Sequence, residues 1–129
     1  MIEFLTDEAT RRAGLPFSPV VRVGGILYLS GQMGVRPGTK ELVAGGVLAE
    51  ARQAMDNIGA VLAANGLGFD AVFKATVMLA DMADWPAFNA IYLTYFTPGR
   101  LPARSAFGAS GLALGGRVEI EVMAWAGAV

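Results

Sequence analysis

Cysteine and histidine are both absent from the 129-residue sequence. Without cysteine there is no disulfide, thiol nucleophile or iron–sulfur cluster; without histidine the usual zinc sites are gone too. A metal would need oxygen ligands alone, and no acidic cluster of suitable spacing is visible. No metal or cofactor is therefore expected. General acid–base work falls to Asp or Glu, and charge stabilisation to Arg or Lys. Charge itself is scarce: 16% of residues are charged, with a net charge of −1. Arg11 and Arg12 are the only adjacent basic pair. Sequence-independent nucleic-acid binding needs several cations on one face, so the composition argues against such a partner. No run of eighteen apolar residues occurs, which argues against a membrane span. The first residues, MIEFLTDEATRR, carry early acids and no apolar leader. A cytoplasmic location is the expectation.

What the sequence does have is apolar surface. Hydrophobic residues make up 54% of the chain. Its length suits one domain with a real core, spanning 1–129. So small and apolar a chain is expected to bury a face against copies of itself.

The elements read as follows. Residues 2–5 suit an edge strand, and residues 6–12 a turn or short helix. Two prolines stiffen the loop 14–19 around Phe17, an aromatic that is either a plug on the core or the wall of a pocket. Residues 20–23 and 26–30 form strands joined by Gly24-Gly25, a hairpin pair. Ser30-Gly31-Gln32 ends the second strand, where glycine allows close approach of a backbone or ligand. Leu48, Ala51, Met55, Ile58 and Leu62 repeat at helical spacing, predicting a helix over 47–65 with Glu50 and Asn57 off its apolar stripe. Residues 71–79 form a buried strand. Asp84 suits an N-cap, with Pro86 in the first turn of a helix reaching about Phe96. Asn89 lies off that helix's apolar stripe and is expected to be solvated. Two more strands follow, around Arg104 and Glu119. This β-β-β-α-β-α-β-β order predicts an α+β fold: a mixed six-stranded sheet with two helices on one face and the other face uncovered.

The last strand carries the chemistry. Period two puts Val118, Ile120 and Val122 on the core face and Glu119 and Glu121 on the uncovered one. A carboxylate in apolar company must be paired, hydrogen-bonded or shifted in pKa. The nearest arginines in sequence are Arg104 and Arg117.

Several stretches taken together resemble one family: PFSP at 16–19, GGILYLSGQMG at 24–34, ARQAMDNIGAVLAANG at 51–66, the block from Val72 to Phe96, LPARSAF at 101–107 and VEIEVMAWAG at 118–127. The chain is similar, over roughly 16–126, to the RidA (YjgF) family. The resemblance implies a chorismate-mutase-like fold with ferredoxin-like βαβ units, a homotrimer, and active sites in clefts between subunits. It implies hydrolysis of reactive 2-imino and 2-enamino acids, such as 2-iminopropanoate to pyruvate and ammonia. By the same resemblance Arg104 falls on the arginine that binds the substrate carboxylate and Glu119 on the glutamate that positions water. Ser30, Gly31 and Asn89 fall on pocket residues. Phe17 stands where many active members have tyrosine, so a hydroxyl is missing. Ala106 stands where some carry cysteine.

The inventory suits that reaction. An arginine fork binds a carboxylate at two points, and one carboxylate can move a proton from water to the leaving nitrogen. The small-molecule partner is then an imino or keto acid. The alternatives are a non-catalytic binder of small keto acids or other anions, which Phe17 favours, and a related deaminase of a different catabolic intermediate. Ribonuclease activity, also attached to this family, fits poorly with a chain lacking histidine and a basic patch.

Overall fold

The computed structural model describes residues 1–127. Its strands are β1 (Ile2–Leu5), β2 (Val20–Val23), β3 (Ile26–Leu29), β4 (Gln32–Met33), β5 (Val72–Leu79), β6 (Ala103–Gly108) and β7 (Val118–Trp125). Its helices are α1 (Glu8–Ala13), α2 (Gly46–Ala64) and α3 (Trp85–Leu93). The strands form one mixed sheet in the order β1-β2-β3-β7-β5-β6, with β4 also pairing β7. Among the described residues no helix is long and apolar enough to cross a membrane.

The α+β architecture is as expected, with a seventh strand of two residues. That strand arises from a bulge. Tyr28 pairs Met123 and Gln32 pairs Ile120, so four steps along β3–β4 match three along β7. The surplus residue falls at Ser30-Gly31, where the chain bends and re-aims its side chains.

β7 pairs antiparallel with β5, and β5 pairs parallel with β6. A parallel pair needs a crossover, which α3 supplies. The core lies between the sheet and α2 and α3. Ala75, Val77 and Leu79 of β5 and Val118, Ile120 and Val122 of β7 face Ala51, Met55, Ile58, Leu62 and Phe88, all fully or almost fully buried. Each large side chain buried this way contributes about 1.5–3 kcal/mol relative to exposure.

The α2 stripe needs two corrections. Leu48 is 51% exposed, whereas Glu50 is only 6% exposed. Glu50 is buried because Oε1 accepts the Arg117 backbone N–H at 2.8 Å, meeting a donor that would otherwise lack a partner. The helix ends at Asn65, with Gly66 at φ +75°, a left-handed conformation that glycine adopts without a Cβ penalty.

Candidate active site

Arg104 sits on β6, an edge of the sheet, beside core-facing Ala75 of β5. It therefore points to the helical face. Its guanidinium carbon lies 4.8 Å from the Tyr92 ring centre and 5.7 Å from that of Trp85, both on α3. Among the described residues no carboxylate lies within ion-pair reach of it. Asn89 falls between the two aromatics at helical spacing, so the three share a face of α3. Asn89 Oδ1 is buried without a hydrogen-bond partner among the described residues, and so is the Tyr92 hydroxyl. This corrects the expectation that Asn89 is solvated: the helix turns it toward the Arg104 cluster rather than outward.

Glu119 sits on β7 beside Met78 of β5, on the sheet face that no helix covers. Its carboxylate lies against the bulge: a Cβ added to Gly31 would collide with Glu119 Oε2. Burial raises the Glu119 pKa above the ordinary carboxylate range, and the charge of Glu121 on the same face adds to the rise. Glu121 itself is exposed. Arg117, one of the two nearest arginines in sequence, pairs with Asp84 instead.

Ser30 is stitched to the proline-rich loop. Its backbone N–H donates to Pro19 O at 2.9 Å and its hydroxyl to Ser18 O at 2.6 Å. Phe17, the next residue along, is 50% exposed and is no core plug. The predicted residues thus form two groups within one chain. Glu119, Gly31 and Ser30, with the Phe17 loop anchored to Ser30, make one. Arg104 and Asn89 make the other, joined by Trp85 and Tyr92, which the sequence reading assigned to no site. The 85, 89, 92 spacing was the available signal, but the apolar stripe through Phe88 and Tyr92 masked it.

Two surface hollows, of about 490 Å³ beside β1 and α2 and about 380 Å³ near Arg100 and Trp125, are lined by neither Arg104 nor Glu119. The chemistry of the two groups is complementary. A free guanidinium stacked on aromatic rings is an oriented anion fork. A carboxyl with a raised pKa at a backbone bulge has the chemistry a proton carrier needs.

A family model described as Endoribonuclease L-PSP matches residues 8–126. A mouse protein named 2-iminobutanoate/2-iminopropanoate deaminase is 50% identical over 109 residues, covering 84% of this chain and 80% of its own length. The crystal structure of YEO7 from yeast superposes with a TM-score of 0.87 at 33% identity, covering 97% of this chain and 98% of that one. The YjgF gene product of E. coli superposes at 0.78 with 37% identity, covering 85% of this chain and 87% of that one. With most of its length matched in both sequence and structure, the chain belongs to the Endoribonuclease L-PSP family, the YjgF/RidA family.

Proposed function

We propose that this protein hydrolyses 2-imino and 2-enamino acids to 2-keto acids and ammonia, in clefts between the subunits of a homotrimer. The observation that carries the reading is Arg104: a guanidinium held on Trp85 and Tyr92 with no carboxylate partner among the described residues, which suits it to an anionic substrate. The mouse relative's name, 2-iminobutanoate/2-iminopropanoate deaminase, fits a substrate with one carboxylate beside one C=N bond.

In this mechanism Arg104 grips the substrate carboxylate through its fork. Ser30 and the Gly31 backbone, with Phe17 on the apolar side, bound the substrate, and Asn89 lines the Arg104 end. The oxygen of a water forms a bond to the imine carbon while Glu119 takes a proton from that water. Glu119 returns the proton to nitrogen. Glu119 then takes the proton of the new hydroxyl and passes it to the same nitrogen as the C–N bond breaks, leaving a keto acid and ammonia. The imine is already electrophilic, so orientation and one proton carrier account for the catalysis.

Self-association completes the site. Arg104 and Glu119 occupy opposite faces of one sheet, so a substrate held by Arg104 of one copy meets Glu119 of the next. The uncovered face bears Phe4, Val23, Tyr28, Phe107 and Trp125, all exposed in a single chain, which supports its burial against other copies.

The test is release of pyruvate or 2-ketobutyrate from enzymatically generated 2-aminoacrylate or its homologue, with Arg104→Ala alongside. Acceleration by the wild type and not by the variant is expected. Phe17, with no hydroxyl, favours a second reading in which the cleft holds keto acids without turnover. Saturable binding of 2-ketobutyrate with no acceleration would select it.

A further inference from the structure

We propose that Arg117 is a positioning residue for this reaction, locking the first turn of α3, and with it the Arg104 cradle, onto the strand that carries Glu119. The inference rests on the roles given above to Arg104 and Glu119.

Arg117 lies two residues before Glu119, and its backbone is fixed at both ends. Its N–H donates to buried Glu50 Oε1 of α2 at 2.8 Å, and its carbonyl accepts Ala80 N–H, just beyond β5, at 3.0 Å. Its side chain then reaches out from that fixed base. Arg117 Nη2 lies 2.6 Å from Asp84 Oδ2, with the carboxylate side chain 16% exposed and the guanidinium 43%.

Asp84 is the N-cap residue of α3, yet its carboxylate makes no capping bond to the helix. An aspartate at that position ordinarily accepts an amide of the first turn. Here the carboxylate is given to Arg117 instead, so the helix forgoes a local bond for a tertiary one. The residue that follows is Trp85, one of the two rings beneath Arg104. The ion pair therefore links the two half-sites that one chain contributes to neighbouring clefts through a short path: Glu119, Arg117, Asp84, Trp85, Arg104. Because the Arg117 backbone is held independently of its side chain, losing the ion pair frees the α3 turn and not β7. Carboxylate binding should suffer, and proton transfer at Glu119 should not.

Four variants test this: Asp84→Asn, Arg117→Met, Arg117→Lys and the double Asp84→Asn/Arg117→Met. Urea unfolding first shows that each is folded. For Asp84→Asn and Arg117→Met, KM for the imine generated in situ should rise about tenfold while kcat stays within about threefold. Arg117→Lys, which keeps a cation facing Asp84, should recover most of the loss. The double variant should be no worse than either single one, because one interaction is removed once. A KM unchanged in Asp84→Asn and Arg117→Met, or a fall in kcat alone, would overturn the proposal. If the wild type itself shows no turnover, the deaminase reading fails separately. Titration of the same variants with 2-ketobutyrate then decides, with a tenfold weaker Kd expected and an unchanged Kd refuting. A wild type that neither turns over nor binds would overturn both.

Discussion

Arg104 and Glu119 leave the sheet on opposite faces. Arg104 stands beside core-facing Ala75 and lies over the α3 aromatics, whereas Glu119 stands beside Met78 on the uncovered side. In the proposed mechanism, where both act on one small substrate, the two groups therefore belong to different copies of the chain. Arg104→Ala and Glu119→Gln should each remove most activity while leaving the oligomer intact. Refolded together in equal amounts, they should regain activity, because some clefts receive an intact Arg104 from one copy and an intact Glu119 from its neighbour. Random assembly of a closed ring gives about one quarter of the sites. Specific activity of the co-refolded mixture, compared with the sum of the two variants, measures this. A mixture no better than the sum would mean that both groups act within one copy.

The raised pKa of Glu119 makes a prediction of definite sign. Burial is the larger cause and the Glu121 charge the smaller. A general base works only when ionised, so the acid limb of the kcat/KM profile should lie above the ordinary carboxylate range. Glu121→Gln removes the smaller cause and should move that limb to lower pH. Stability follows the same linkage. The folded chain keeps the Glu119 proton to higher pH than the unfolded chain does. Between the two pKa values the folded state binds more protons, so stability falls as pH rises through that window. Glu119→Gln should therefore melt at a higher temperature than the wild type near neutral pH, with the difference vanishing in acid. Calorimetry at both pH values checks it, and a lower Tm for the variant at neutral pH would refute it.

Much of this arrangement could be read from the sequence where a local period governs it. The alternation in VEIEV placed Val118, Ile120 and Val122 in the core and Glu119 outside it, because a strand has no other choice. The spacing of Ala51, Met55, Ile58 and Leu62 located α2 for the same reason. What escaped was set by partners distant in the chain. The Ser30-Gly31 bulge exists only because β3 and β4 share β7. Glu50 is polar and so was placed off the stripe, yet it is buried because the Arg117 amide needs an acceptor. That Arg104 faces the helices depends on the β5–β6 register, which no local pattern encodes.

Gly31 is constrained by space. A side chain there would strike the Glu119 carboxylate. Gly31→Ala should displace that carboxylate while leaving Arg104, on the other face, undisturbed. A misplacement of about 1 Å at a catalytic group costs on the order of 100-fold in rate. The loss should fall on kcat, with KM little changed. Steady-state kinetics separate the two, and a normal kcat would show that Glu119 does not act from the bulge.

Tyr92 offers a way to separate ring from hydroxyl. The residue is 3% exposed, and its hydroxyl has no hydrogen-bond partner among the described residues. Burial raises its pKa, with the Arg104 charge pulling the other way. A buried polar group left unpaired costs about 1–3 kcal/mol. Tyr92→Phe removes that group and keeps the ring, so Tm should hold or rise and KM should stay near the wild-type value. Tyr92→Leu removes the ring beneath Arg104. A cation–π contact contributes about 0.5–2 kcal/mol, which corresponds to about 2- to 30-fold in KM. The two variants should therefore divide, with KM raised in the leucine variant alone. Equal rises in both would reassign Tyr92: its hydroxyl, and not its ring, would be the group that serves the substrate.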